Sequence, residues 1–195
     1  MVCAGNALFR SHGVSFDNMN KTLVMSTGII GMNLTISKIL ATIQAQSSLS
    51  SPSYGLSSAP TTYEAAAHAF MMTDMFPKLC ARSFTLKGNT YHIAGMEKGA
   101  GMVHSCMVGP DAVGGLHAML LSLILTDAPV SPCSLQSALM YAVNHSFNSI
   151  SVDGDMSMND TIIALANSAG TRVEKSTMVE DIDKTDPDAY CIFRD

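Results

Sequence analysis

Apolar residues along this chain recur at helical spacing in some stretches and run together in short blocks in others. Ile36, Ile39, Leu40 and Ile43 share one face of a helix, so the pattern predicts a helix over residues 34–46. A second helix is expected to begin at Thr61 or Thr62, after Pro60, and to run through Glu64 to about Met72. It must end before Pro77, because proline disfavours helical geometry in the residue preceding it. Leu135, Leu139 and Val143 form a third stripe, opened by Ser131-Pro132, a capping residue followed by a proline in the first turn. A last helix is expected from Asp186-Pro187, broken off in mid-pattern at Asp195.

Strand signals lie between these helices. Residues 22–26 read as a short strand ending in the turn Thr27-Gly28. Residues 82–86 and 90–94 flank Lys87-Gly88-Asn89 as a hairpin. Residues 119–125 are continuously apolar and short enough for a strand buried on both faces. Further strands are expected at 150–152 and 161–165. Serine-rich residues 47–58, with Pro52 and Gly55, and glycine-containing residues 109–115 read as loops. From Thr171 the chain turns acidic and polar, and no internal repeat is present. Helices interleaved with strands make the fold α/β.

Composition narrows the possibilities. With 195 residues, 47% of them hydrophobic, the chain can bury a core and is expected to be one domain or a large part of one. Charged residues make up 14%, against roughly a quarter in an average soluble protein, which favours a body covered on several faces. A net charge of −5 leaves no electrostatic footprint for nucleic acid. The five cysteines (Cys3, Cys80, Cys106, Cys133, Cys191) are odd in number and never closely paired, which argues against a disulfide framework or a zinc site. The longest apolar run, residues 119–125, is too short to span a bilayer, so a soluble protein without a membrane partner is expected. Residues 1–16 hold one arginine and no amphipathic repeat, so no transit peptide is read there.

Few residues carry chemistry on spacing alone. Asp153-Gly154-Asp155 lacks the remainder of a calcium loop and reads as a turn. His104 and His117 have no spaced ligand partners, and nothing near Cys106 lowers a thiol pKa. Thr27-Gly28 is an ordinary strand-ending turn on spacing alone, although such a turn can also aim a backbone N–H at a developing oxyanion. Lys98 is a loop lysine by default; as a point charge it can also hold a carboxylate.

Several segments in order resemble the ornithine acetyltransferase family, the self-cleaving glutamate N-acetyltransferases of arginine biosynthesis. They are Leu23-Val-Met-Ser-Thr-Gly-Ile-Ile-Gly31, Thr73-Asp74 with Phe76-Pro77-Lys78, Gly95-Met-Glu-Lys-Gly-Ala-Gly-Met102, Leu116 to Asp127, and Ser146 to Asp155 with Asn159-Asp160-Thr161. The residues inserted between Met102 and Leu116 resemble the fungal branch. The resemblance implies a layered αββα sandwich, incomplete at both ends, forming one partial acetyltransferase domain over 1–195. It implies a cleavage point between Ala118 and Met119, an oxyanion hole at Thr27 and Gly28, and substrate contacts at Lys98 and Met72. It further implies transfer of acetyl from N2-acetylornithine to glutamate in the mitochondrial matrix, with no metal or organic cofactor, in members that assemble as homo- or hetero-oligomers.

One departure is central. The family's nucleophile is a threonine, and here that position is Met119. A thioether has no hydroxyl to deprotonate, so it cannot attack an acyl carbon as threonine does. Met72, Met75 and Met158 also stand where the family has threonine, and Cys133 and His145 where it has arginine. One biased mutational process, changing single C·G pairs, produces both kinds of replacement. The expectation is therefore a family member impaired in acetyl transfer. The alternative is a non-catalytic remnant that binds acyl-amino acids or an intact paralogue.

Overall fold

A computed structural model describes residues 23–29, 31–46, 59–86, 88–99, 120–154, 160–171 and 187–195. The chain divides into two compact units, Met1–Ala66 and Ala67–Asp195.

In the first unit the strand expected at 22–26 is not present in residues 23–26, the part of it that is described. Residues 23–29 have no strand partner among the described residues, and an extended segment becomes a strand only by pairing its backbone groups with a neighbour. The tight bend also falls later than Thr27-Gly28. Met32 N–H donates to Ile29 O at 3.1 Å, and Gly31 adopts φ 84°, a conformation that glycine reaches without a Cβ penalty. Helix α1, Ile36–Gln46, matches the expected 34–46 within two residues, and Ile39, Leu40 and Ile43 lie on its less exposed side. Helix α2, Pro60–Phe70, carries the division between the units. It starts at the proline itself, where a missing N–H costs nothing because the first-turn N–H groups have no helical acceptor.

The second unit holds a four-stranded sheet in the order β1 (Lys78–Leu86), β2 (Asn89–Lys98), β3 (Leu121–Thr126), β4 (Thr161–Ala166). The hairpin β1–β2 is longer than the 82–86 and 90–94 read from the sequence, because its antiparallel register continues to Lys78 opposite Glu97. β3 pairs antiparallel with β2 and parallel with β4, and a parallel neighbour requires a crossover. Helix α3, Pro132–His145, lies within that crossover, capped by Ser131, whose hydroxyl accepts from Ser134 N–H at 3.4 Å. The strand expected at 150–152 is reduced to a single bridge at Ser151, just after a 3₁₀ turn at Phe147–Ser149. Ile150 returns its N–H to Phe147 O at 3.0 Å, so a local turn bond takes the donor with which the strand would have begun. Helix α4, Pro187–Arg194, closes the described chain. The class is mixed α/β, to which the described residues contribute one sheet. Residues 47–58 and 109–115, read as loops, lie outside the described residues.

Alternation sorts the sheet into two faces. On one, Leu86, Tyr91, Ala128, Val130 and Ala189 form a core with Phe84, Leu135 and Phe193 around it. Phe84 lies 5.8 Å from Tyr91 and 6.1 Å from Phe193 between ring centres, a tilted arrangement that suits aromatic quadrupoles. Tyr190 donates its hydroxyl to Ser134 O at 3.2 Å, tying α4 to α3.

Asp127 fastens the open end of β2–β3. Its Oδ1 accepts His92 N–H at 2.6 Å, and its Oδ2 meets His92 Nδ1 at 2.9 Å. Burial pushes this carboxyl up, but the hydrogen bonds and charge of His92 together bring it below the usual carboxylate range. A carboxyl whose folded pKa is depressed contributes stability that is complete above its unfolded value and fades as pH falls through the folded one. Asp127→Asn is therefore expected to flatten the loss of stability on acidification below about pH 4. Urea unfolding at a series of acid pH values tests this; parallel curves for parent and variant would refute it.

Candidate active site

β2 ends on Lys98 and β3 begins on Leu121, its register partner. Residues 100–119, which lie outside the described set, connect the two strand ends. Both ends of that connection are held by carboxylates. Asp74, its side chain 2% exposed, accepts Gly99 N–H at 3.1 Å through Oδ2 and pairs with Lys78 Nζ at 3.0 Å through Oδ1. Lys78 Nζ also donates to Gly99 O, so one ion pair grips both sides of the glycine. Gly99 has φ 147°, which a residue with a Cβ rarely adopts. At the other end, Leu120, 1% exposed, donates its N–H to Asp160 Oδ1 at 2.5 Å. Charge-assisted bonds of this kind are the stronger class of hydrogen bond.

Lys98 is 2% exposed. Burial lowers the pKa of its ammonium, while the carboxylates of Asp160 and Asp74 oppose that shift and nearby Lys78 adds to it. A lysine ammonium is a point charge, and here the carboxylates of Asp160 and Asp74 already offset it. Alternation sets neighbouring Glu97 on the opposite face of the sheet. Burial pushes the Glu97 carboxyl above its ordinary value; Lys78, at 4.0 Å, pulls it down, and Asp74 adds to the rise.

The remaining residues singled out from the sequence fall as follows. Thr27 and Gly28 belong to the first unit and are half-buried; a Cβ on Gly28 would lie 3.3 Å from Leu34 Cδ2. Met72, just after α2, is 44% exposed, and Met75 is 95% exposed. Ala118, Met119, His104, His117, Cys106 and Asp155 lie outside the described residues. No group of three metal-ligating side chains occurs among the described residues. Sequence reasoning quoted Asp74, Lys78 and Asp160 within its motifs but gave them no role. The i,i+4 spacing of Asp74 and Lys78 was one available signal; their shared partner, Gly99, lies too far along the chain to be inferred.

With this geometry in view, the comparisons are direct. The sequence profile of the ArgJ family matches residues 7–188. The chain belongs to that family. It is 57% identical over 177 residues to the "Arginine biosynthesis bifunctional protein ArgJ, mitochondrial" of Postia placenta, covering 90% of this chain and 37% of that protein. The protein of the same name from Coprinopsis cinerea is 55% identical over 177 residues, covering 90% and 36%. That from Aspergillus terreus is 50% identical over 155 residues, covering 78% and 30%. The chain thus spans between 30% and 37% of the length of these relatives. No helix among the described residues is long and apolar enough to cross a membrane.

Proposed function

We propose that this chain is a mitochondrial-matrix member of the ArgJ family that keeps the family's anchoring lysine but has lost its nucleophile. In intact members the activity is acetyl transfer from N2-acetylornithine to glutamate. Threonine would attack the N-acetyl carbonyl, an oxyanion hole at the Thr27-Gly28 position would stabilise the tetrahedral intermediate, and the amine of glutamate would take the acetyl group. The observation that carries the reading is Met119, one residue before the anchored Leu120. Whatever stands there adjoins the start of β3, whose first residue pairs with Lys98. A methionine in that place offers neither a hydroxyl nor a proton to remove.

Lys98 favours a second, weaker role in this chain, the capture of acyl-amino acids without turnover. Its buried ammonium is already supported by the carboxylates of Asp160 and Asp74, so a ligand carboxylate would have to take the place of one of them, which makes this the weaker role. The oligomeric assembly of intact members extends to this chain as part of the same proposal.

The test is an acetyl-transfer assay with N2-acetylornithine and glutamate, run beside an active family member. Turnover is expected to be at background. Binding without transfer, measured by calorimetry with N2-acetylornithine, would favour the capture role. Robust turnover, with an acetylated residue other than 119 found by mass spectrometry, would overturn the reading.

A further inference from the structure

The face of the sheet opposite Lys98 holds a concavity. Register and alternation bring Lys78, Cys80 and Arg82 of β1 together with Ile93, Gly95 and Glu97 of β2 and Ser122 and Ile124 of β3 on this face. Phe76 and Pro77 wall one side and Phe147, from the turn after α3, walls another. The cleft they enclose has a volume of about 520 Å³, within the range of roughly 300–1,000 Å³ usual for small-ligand sites.

Gly95 lies in its floor, between Cys80 of β1 and Ile124 of β3. Gly95 does not need its glycine for backbone reasons, since it has no positive φ, and a Cβ there would meet only Leu123 O, at 3.9 Å. The space above Gly95 is therefore open because a side chain is missing. Phe76, 65% exposed, offers the cleft a large apolar surface that the described residues leave uncovered.

The rim decides the sign of the ligand. Lys78 is already engaged, with Asp74 at 3.0 Å and Glu97 at 4.0 Å. Arg82 is not matched in this way: its hydrogen bond runs to Ala81 O at 3.0 Å, and among the described residues no carboxylate pairs with its guanidinium. A guanidinium presents a planar fork of donors suited to a carboxylate.

We propose that this cleft binds a medium-chain carboxylic acid, its apolar chain lying over Gly95 between Phe76 and Phe147 and its carboxylate on Arg82. The site is separate from the Lys98 side of the sheet and does not depend on acetyl transfer.

Calorimetry with the full 195-residue chain and decanoate, kept below its micelle concentration, tests this. Saturable binding is expected, weakening about fourfold for each methylene removed towards hexanoate, as burial of apolar surface requires. Arg82→Gln is expected to weaken decanoate binding at least tenfold by removing the charge-assisted contact. Gly95→Val fills the floor with a residue that favours strands, so binding is expected to vanish while the circular dichroism spectrum and Tm are kept. Ser83→Ala, exposed on the other face, leaves binding unchanged. The proposal is overturned by absence of saturable binding to the parent chain or by equal affinity of the Arg82→Gln and Gly95→Val variants. It is also overturned by a self-associated parent that Gly95→Val makes monomeric, because the cleft would then be an interface between copies.

Discussion

Purified and held for days at neutral pH, the chain is expected to run as one band near 20.6 kDa on a denaturing gel. Self-cleavage between Ala118 and Met119 needs a side chain on residue 119 that can attack the preceding carbonyl, and a thioether forms no stable acyl product. Removing a covalent nucleophile from a serine protease leaves only about 10³–10⁴-fold acceleration over water, from binding and oxyanion stabilisation. Ser122 is no substitute. Pairing puts it opposite Glu97, on the sheet face away from Lys98, and it is 3% exposed. Met119→Thr is expected to restore self-cleavage, because Gly99 and Leu120 already hold the two ends of the connection. It is not expected to restore acetyl transfer, because the resemblance proposes a substrate contact at residue 72, and a thioether there offers no hydroxyl to hold one. Two fragments from the parent chain would refute the first expectation. Full transferase activity from the single change would refute the second and leave residue 119 as the whole defect.

The largest expected effect on stability is that of Asp74→Ala. The change strips Lys78 of its partner at 3.0 Å and leaves Gly99 N–H without its acceptor. Removing one member of a buried ion pair is more damaging than the pair is stabilising, because the group left behind has already lost its water. A loss of about 3 kcal/mol is expected, at the lower end of that class because Lys78 is 30% exposed on its side chain. Asp74→Asn keeps an acceptor for Gly99 and is expected to lose about half as much. Urea unfolding reads the difference as a lower midpoint at unchanged slope, and amide exchange at Gly99 should accelerate in both variants. A midpoint for Asp74→Ala equal to the parent's would show that the ion pair has no structural role.

How much of this was legible beforehand depended on the range of the interaction. The spacing of Ile36, Ile39, Leu40 and Ile43 marked α1, and Ser131-Pro132 marked the start of α3, because capping and periodicity act within one or two turns. The apolar run ending at Leu125 marked β3 for the same reason: a strand buried on both faces needs no alternation. Motif order from Leu23 to Asp160 was enough to indicate the family that the profile match then established. Residues 23–26 and 150–152 looked equally strand-like, yet the first form no strand and the second only a bridge at Ser151, since strand formation depends on a neighbour that local sequence does not supply.

By itself, then, the sequence determined the helices with strong caps or stripes, the mixed α/β class, the family, and the presence of methionine at residue 119. Tertiary structure alone decided that Asp74 and Lys78 grip Gly99, that Asp160 holds Leu120, that Lys98 is buried while Glu97 faces away from it, and that Gly95 floors a cleft. These facts arise from strand register and from contacts 21 to 40 residues apart. A one-residue slip in register would move every one of those side chains to the other face, and no local pattern in the chain records which register prevails.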